Sequence, residues 1–358
     1  MREPMSWVER LARPDILALS PYDHAAWLPA LERLHANELP WRPACDASLA
    51  GLNRYPEPQP VELVARLAAL YEIAPAHLLA TRGSDEAIDL LVRAFCRAGM
   101  DAVIVCPPTF GMYAVAAAIQ GARVVKVPLR AASGFELDEA AILEHCTPDV
   151  KLVFVCSPNN PTGNLLDEPS LLRIAAHLEG RALLVIDEAY IEFAGVASLA
   201  RRVPQLPQLA VLRTLSKAHA LAGARCGALI AAAEVIALVR KVITPYALSQ
   251  MTVECVLACL ETARLAALPA RLAAIQAERL RLAEGLRSAR AVAKVWPSVA
   301  NFLLVDFHSA DAAGHALERA CAAGLLIRDV RRQPSLAHAL RITVGTPEQN
   351  DRLLDALR

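Results

Sequence analysis

The sequence has no surplus of charge of either sign: Lys plus Arg and Asp plus Glu each number 37. A nucleic acid or an anionic membrane surface calls for a basic excess, so the expected partners are small molecules or a second copy of the chain. Nor is there an apolar run suited to a bilayer. The most apolar stretch, 227–239, is interrupted by Glu234 and falls short of the ~20 residues of a spanning helix. The start of the chain carries Arg2, Glu3, Glu9, Arg10 and Arg13 where a leader would have an apolar core, so no signal peptide is expected and the protein is placed in the cytoplasm. No Cys-x-x-Cys occurs among the nine cysteines, and their number is odd. Cys255 and Cys259 share a helical face but have no histidine nearby. Reduced core cysteines are therefore expected, with no metal site. No internal repeat is present.

What the chain has is length and apolar content. Its 358 residues are 55% hydrophobic and 21% charged, which excludes general disorder and suits two domains of unequal size. Short apolar runs at 103–106, 124–127, 152–156, 183–186, 209–212 and 228–231 predict strands, mostly buried on both faces of a largely parallel sheet. A helix is predicted over 86–97, where Ile88, Leu91, Val92 and Phe95 make one stripe. The result is an α/β domain with helices on both faces of the sheet. From about Thr252 an Ala-, Leu- and Arg-rich helical pattern runs to Arg290 with one interruption near Pro269. Strand patterns at 302–307 and 340–344 and helices at 311–323 and 348–357 follow, making a smaller α+β domain. The predicted division is an N-terminal arm (1–30), a large domain (31–250) and a small C-terminal domain (251–358). Segment 53–60, with three prolines, reads as an ordered loop or arm.

Four groups of polar residues follow predicted strands or open a predicted helix. Arg213-Thr214-Leu215-Ser216-Lys217 follows one strand, with Gly223 and Arg225 soon after. Asp187-Glu188-Ala189-Tyr190 follows a second, and Ser157-Pro158-Asn159-Asn160-Pro161-Thr162-Gly163 a third. Thr81-Arg82-Gly83-Ser84-Asp85-Glu86 opens the helix. Taken singly, each has a plain structural explanation. Lys217 would be a solvated loop lysine, Asp187 a helix cap, the Asn-Pro segment a turn, and Ser84 an N-cap. Taken together they bring an amine, a carboxylate, amide and phenol donors and free helix N–H groups to one sheet edge, where open α/β folds bind ligands.

In this order, the four groups and Arg225 resemble the class I/II aminotransferases, pyridoxal-phosphate-dependent transferases of fold type I. Within that family the chain looks like the histidinol-phosphate aminotransferases. That likeness is carried by Asn53-Arg54-Tyr55-Pro56-Glu57-Pro58, Pro107-Pro108-Thr109-Phe110-Gly111-Met112-Tyr113, Arg213-Thr214-Leu215-Ser216-Lys217-Ala218 and Leu340-Arg341-Ile342-Thr343-Val344-Gly345-Thr346. It extends from about Tyr22 to the C-terminus.

The resemblance implies pyridoxal 5'-phosphate as cofactor and Lys217 as its Schiff-base lysine and proton shuttle. Asp187 would pair with the ring nitrogen, and Asn160 and Tyr190 with the phenolic oxygen. Gly83, Ser84, Asp85, Thr214, Ser216 and Arg225 would surround the phosphate. Phe110 is the expected ring-stacking aromatic, with Tyr113 close behind. Tyr55 would reach the phosphate in the neighbouring subunit, implying a homodimer with shared sites. Arg341 would take the substrate's anionic end, and Arg328 with Tyr22 its phosphate. The implied reaction is a ping-pong exchange of an amino group between L-histidinol phosphate and 2-oxoglutarate, in histidine biosynthesis. Sister activities on this fold are aromatic-amino-acid transamination and threonine-phosphate decarboxylation. A pyridoxal-binding protein without turnover would not need both Lys217 and Asp187. Leu39, Phe110 and His219 depart from the family's usual Asn, Tyr and Phe. A cationic Arg225 nearby is expected to help keep Lys217 neutral.

Overall fold

The computed structural model describes residues 5–22, 28 and 31–358. The expected arm at 1–30 therefore lies partly outside the described residues. Among them the larger sheet has seven strands, in the order β1-β7-β6-β5-β4-β2-β3. These are β1 (Leu78–Thr81), β2 (Ala102–Val105), β3 (Arg123–Lys126), β4 (Val150–Cys156), β5 (Leu183–Asp187), β6 (Leu209–Thr214) and β7 (Gly227–Ile230). Strands β3, β2, β4, β5 and β6 run parallel, whereas β7 is antiparallel to both β6 and β1. The continuous apolar runs have the expected cause, because alternate residues enter different cores. Val153, Val155, Leu184, Ile186 and Val211 join one, while Leu152, Phe154, Leu183, Val185 and Leu212 join the other. Edge strand β3 differs: its Arg123 and Lys126 are exposed, charges that discourage further strand pairing.

The second sheet is antiparallel, in the order β10-β11-β9-β8, and consists of β8 (Val292–Val295), β9 (Phe302–Phe307), β10 (Arg328–Asp329) and β11 (Ala339–Thr343). Leu303, Val305, Phe307, Leu340 and Ile342 pack with Leu282, Leu286, Ala316, Leu353 and Leu354 of the helices Leu268–Arg287, Ala310–Ala322 and Pro347–Leu357. Leu304 and Ala339 belong instead to the core under the larger sheet.

Some sequence expectations need correction. The helical pattern after Thr252 is broken twice, giving helices Gln250–Cys259, Thr262–Leu265 and Leu268–Arg287. The second break, at 266–267, is the expected one near Pro269, which itself sits in the first turn of the last helix, where a missing N–H costs nothing. The helix predicted at 86–97 is Ser84–Phe95, so its first turn reaches the sheet edge. Strands β1, β8 and β10 come in addition to the strands predicted from the sequence. Five cysteines are buried (Cys96, Cys106, Cys146, Cys156 and Cys226), but Cys45, Cys255 and Cys321 are exposed and Cys259 is half-buried.

Candidate active site

At the carboxyl edge of the larger sheet, Ser84, Asp85, Phe110, Asn160, Asp187, Tyr190, Thr214, Ser216, Lys217 and Arg225 line a single cavity. Topology brings them together. Asp187 ends β5, Thr214 ends β6, Asn160 follows β4, and the helix after β1 begins at Ser84. Cys156, Ala189 and Ala222, which no sequence signal marks as site residues, complete the wall.

Asp187 is buried, and burial pushes its carboxyl up to about 6. Two donors oppose that shift. Tyr113 Oη donates to Oδ2 at 2.7 Å, and the Ala189 N–H donates to Oδ1 at 3.0 Å. Lys217 keeps accessible surface because it lines the cavity, yet the surrounding walls hold its amine below the usual lysine range. After that desolvation the largest depressing influence is the Arg341 guanidinium, and Arg225 contributes less. Arg225 thus acts in the expected direction, but Arg341 does more. The Lys217 Nζ lies 5.6 Å from the centre of the Tyr190 ring.

Of the two aromatic candidates, Phe110 lines the cavity and Tyr113 does not. The Tyr113 ring is fully buried, stacked on Phe154 at 5.0 Å with its edge toward Phe110 at 5.6 Å. Tyr113 therefore contacts Asp187 from behind rather than covering a ring in the cavity. Sequence spacing could not separate two aromatics three residues apart across a turn.

The opposite end of the cavity is built for an anion. Gly83 is the N-cap of the Ser84–Phe95 helix at φ 77°, and no side chain caps it. The first helical N–H groups are thus left for a ligand. Arg225 approaches Gly83 so closely that a Cβ there would meet Arg225 Nη2 at 2.9 Å. A Cβ on Gly227 would meet backbone, Gly83 C at 2.8 Å, so that glycine has no room for a side chain, while at Gly83 the positive φ is what favours glycine. Thr214 Oγ1 donates to Ser216 Oγ at 2.9 Å, and Arg225 donates to Ser216 Oγ at 3.4 Å and to Asp85 Oδ2 at 3.2 Å. Hydroxyls, a guanidinium and helix N–H groups at one end, with a buried carboxylate and an amine at the other, fit pyridoxal phosphate.

Outside the cavity, Arg341 Nη1 donates to Asn160 Oδ1 at 2.6 Å, and Asn160 Nδ2 faces Tyr190 Oη at 3.5 Å. Arg341 lies opposite Arg328 in the β10–β11 register. Two like charges directly across a ladder are unfavourable without an anion between or beside them. Among the described residues, the buried Arg341 Nε also has no hydrogen-bond partner. Tyr55 does not reach this chain's cavity: it is half-exposed and stacks on Tyr246 at 4.7 Å. Tyr22 is exposed and lines no part of the cavity. Leu39 is exposed, and His219 is a packed side chain 3.8 Å from Glu192 whose imidazole burial holds below the usual histidine range.

Asn159 has a role that its sequence context does not reveal. It is buried; its Oδ1 accepts from Thr109 Oγ1 at 2.8 Å, and its Nδ2 donates to Pro108 O at 2.9 Å and Thr162 Oγ1 at 2.6 Å. The loop carrying Phe110 is thereby tied to the loop carrying Asn160.

A family model described as "Aminotransferase class I and II" matches residues 32–357. A histidinol-phosphate aminotransferase of Stenotrophomonas maltophilia is 47% identical over 351 residues, covering 97% of this chain and 95% of the relative. One from Xylella fastidiosa is 50% identical over 327 residues, covering 91% of this chain and 88% of the relative. Among solved structures, the histidinol-phosphate aminotransferase of Clostridium acetobutylicum shares the fold at a TM-score of 0.77 and 22% identity, over 86% of this chain and 90% of that one. The Sinorhizobium meliloti histidinol-phosphate aminotransferase, solved with pyridoxal-5'-phosphate, has a TM-score of 0.74 at 27% identity, over 86% of this chain and 82% of that one. The match spans both sheets and every strand end around the cavity, and the chain belongs to the class I and II aminotransferases.

Proposed function

We propose that this protein is a pyridoxal-phosphate-dependent aminotransferase that moves an amino group between L-histidinol phosphate and 2-oxoglutarate. The products are imidazole acetol phosphate and L-glutamate, and the reaction is reversible. The observation that carries this reading is the placement of Lys217 and Asp187 in one cavity whose far end is an anion cradle. Relatives about half identical over nearly the whole chain bear the matching name.

Bound pyridoxal phosphate would supply an aldehyde that links to amines and a ring that takes up the electron pair left by a departing Cα proton. The remaining work falls to the chain. Ser84, Asp85, Thr214, Ser216 and Arg225 hold the phosphate. Asp187 accepts a hydrogen bond from the ring nitrogen and so favours its protonated form. Phe110 covers the ring face, and Asn160 and Tyr190 hold the phenolic oxygen. Lys217, with its amine held toward neutrality by desolvation and Arg341, would take the Cα proton on Nζ and deliver it to the cofactor carbon on the other side of the substrate nitrogen. Arg341 grips the substrate's anionic end, with Arg328 and Tyr22 beside the phosphate. A guanidinium suits a phosphate in one half-reaction and a carboxylate in the other.

Two subunits are proposed to share sites through Tyr55, whose distance from its own cavity leaves it for the partner's phosphate. The division into an arm, a large and a small domain is proposed with one change: the 250/251 boundary moves so that helix Gln250–Cys259 counts to the large domain. Its Val253 and Val256 pack in the core beneath the larger sheet. A cytoplasmic location is proposed; among the described residues no helix is long and apolar enough to cross a membrane. The test is turnover of histidinol phosphate with 2-oxoglutarate, beside phenylalanine and threonine phosphate. A clear preference for histidinol phosphate is expected. Faster turnover of phenylalanine, or carbon dioxide release from threonine phosphate, would assign a sister activity.

A further inference from the structure

We infer that Tyr113 is a positioning residue for Asp187, holding that carboxylate ionised and aimed at the cofactor's ring nitrogen. The inference rests on the pyridoxal reading only for the ring nitrogen, since the contact between the two side chains stands without it. Packing alone does not explain the residue. The stack on Phe154 and the edge contact with Phe110 use only the ring, and a phenylalanine would make both. A hydroxyl in so buried a slot is costly unless it is bonded, and the acceptor it meets is Asp187 Oδ2 at 2.7 Å. The Ala189 N–H takes the other oxygen, so the carboxylate is fixed by two donors on different elements. Tyr113 sits at the start of helix Met112–Gln120, while Ala189 follows β5.

The electrostatics give this hydrogen bond a task. Burial favours protonated Asp187, and a nearby Asp85 adds to that tendency. Tyr113, the Ala189 N–H and Lys217 oppose it, and Cys156 and Tyr190 are the other titratable groups facing the carboxylate. Burial holds the Tyr113 phenol well above its ordinary range, so it remains a donor across the working pH range. Without that donor Asp187 would carry its proton to higher pH, and a neutral carboxyl cannot hold a protonated ring nitrogen.

The experiment compares wild type, Tyr113→Phe, Asp187→Asn and the double variant. Phenylalanine keeps the aromatic contacts, and thermal unfolding of the cofactor-free forms checks that the fold is retained. In cofactor-free protein, the infrared band of the protonated carboxyl, assigned by its loss in Asp187→Asn, should titrate at higher pH in Tyr113→Phe than in wild type. Replacing Tyr113 with 3-fluorotyrosine, a stronger donor, should move the midpoint the other way. Pyridoxal phosphate should bind Tyr113→Phe about tenfold more weakly, the scale of one lost hydrogen bond to a charged group. In the Asp187→Asn background the same change should cost under about twofold, because the charge it serves is gone. An unmoved midpoint, or an equal loss of affinity in both backgrounds, overturns the inference. Failure of the pyridoxal reading would look different: wild-type protein would take up no cofactor, while the infrared arm would still decide the role of Tyr113.

Discussion

Burial pushes Asp187 and Lys217 toward neutrality from opposite sides, which gives each residue a separate test. The folded carboxyl of Asp187 is raised from 3.8 to about 6, so its contribution to stability is fully present below pH 4 and is lost as pH rises through 6. Cofactor-free Asp187→Asn should therefore be more stable than wild type above pH 6, by on the order of 2–3 kcal/mol, with the difference closing below pH 4. Chemical denaturation at a series of pH values reads this directly. Turnover should move the other way, falling on the order of 10²-fold or more, because an amide cannot stabilise a protonated ring nitrogen. Activity within a few-fold of wild type would remove Asp187 from that role. Lys217→Ala should abolish transamination while leaving a folded protein. Borohydride reduction of the holoenzyme and peptide mapping should label Lys217, and a label on Lys126, Lys151 or Lys241 would contradict the assignment.

Loops and strands carry the next level of the site. The Asn159 clamp joins the loops bearing Phe110 and Asn160, and its removal leaves Thr109 Oγ1, Pro108 O and Thr162 Oγ1 short of a partner. Asn159→Ala should cost about 1–3 kcal/mol of stability, the scale of buried groups left unpaired, and should weaken cofactor binding as the two loops part. Thermal unfolding and a cofactor titration check both, and unchanged values would show the clamp to be redundant. Strands β10 and β11 hold Arg328 opposite Arg341. Arg328→Ala should raise KM for histidinol phosphate far more than for glutamate, and Arg341→Ala should raise both; equal effects from the two would reassign the pair. The site was largely legible in the sequence because its residues follow apolar runs, and a run buried on both faces marks a strand end well. The signal failed where burial pattern and chemistry part company. β10 is two charged, exposed residues, and in β8 only the end residues Val292 and Val295 are buried, with no alternation to mark a strand. Leu78–Thr81 is fully buried but reads Leu-Leu-Ala-Thr, a composition as much at home in a helix as in a strand. The roles of Tyr113 and Asn159 depend on side-chain direction after a turn, which spacing does not encode.

At the scale of the molecule, the segment 31–61 is apolar on its outside yet well anchored inside. Leu31, Leu34, Leu39, Trp41, Leu49 and Val61 are exposed, as is Met251 on the neighbouring helix. Beneath them the Glu38 carboxylate accepts from Arg33, from Arg54 and from the Tyr55 N–H, the last at 2.7 Å. Glu254 accepts from the Leu49 and Ala50 N–H groups, both at 2.9 Å. A segment so firmly tied that still presents large apolar side chains to water fits a surface that a second copy covers. Tyr55 projects from this same segment, held by the Glu38 bond to its N–H and by its stack on Tyr246. If it reaches the partner's cofactor phosphate, cofactor retention depends on assembly. Tyr55→Phe should then weaken pyridoxal phosphate binding severalfold while leaving the dimer intact, since only a hydroxyl is lost. Replacing Trp41 and Leu49 with charged residues should produce monomers that lose cofactor altogether, although every residue lining their own cavity remains. Light scattering combined with cofactor absorbance separates these outcomes. A monomer that keeps its cofactor and turns over would show that each site is complete within one chain.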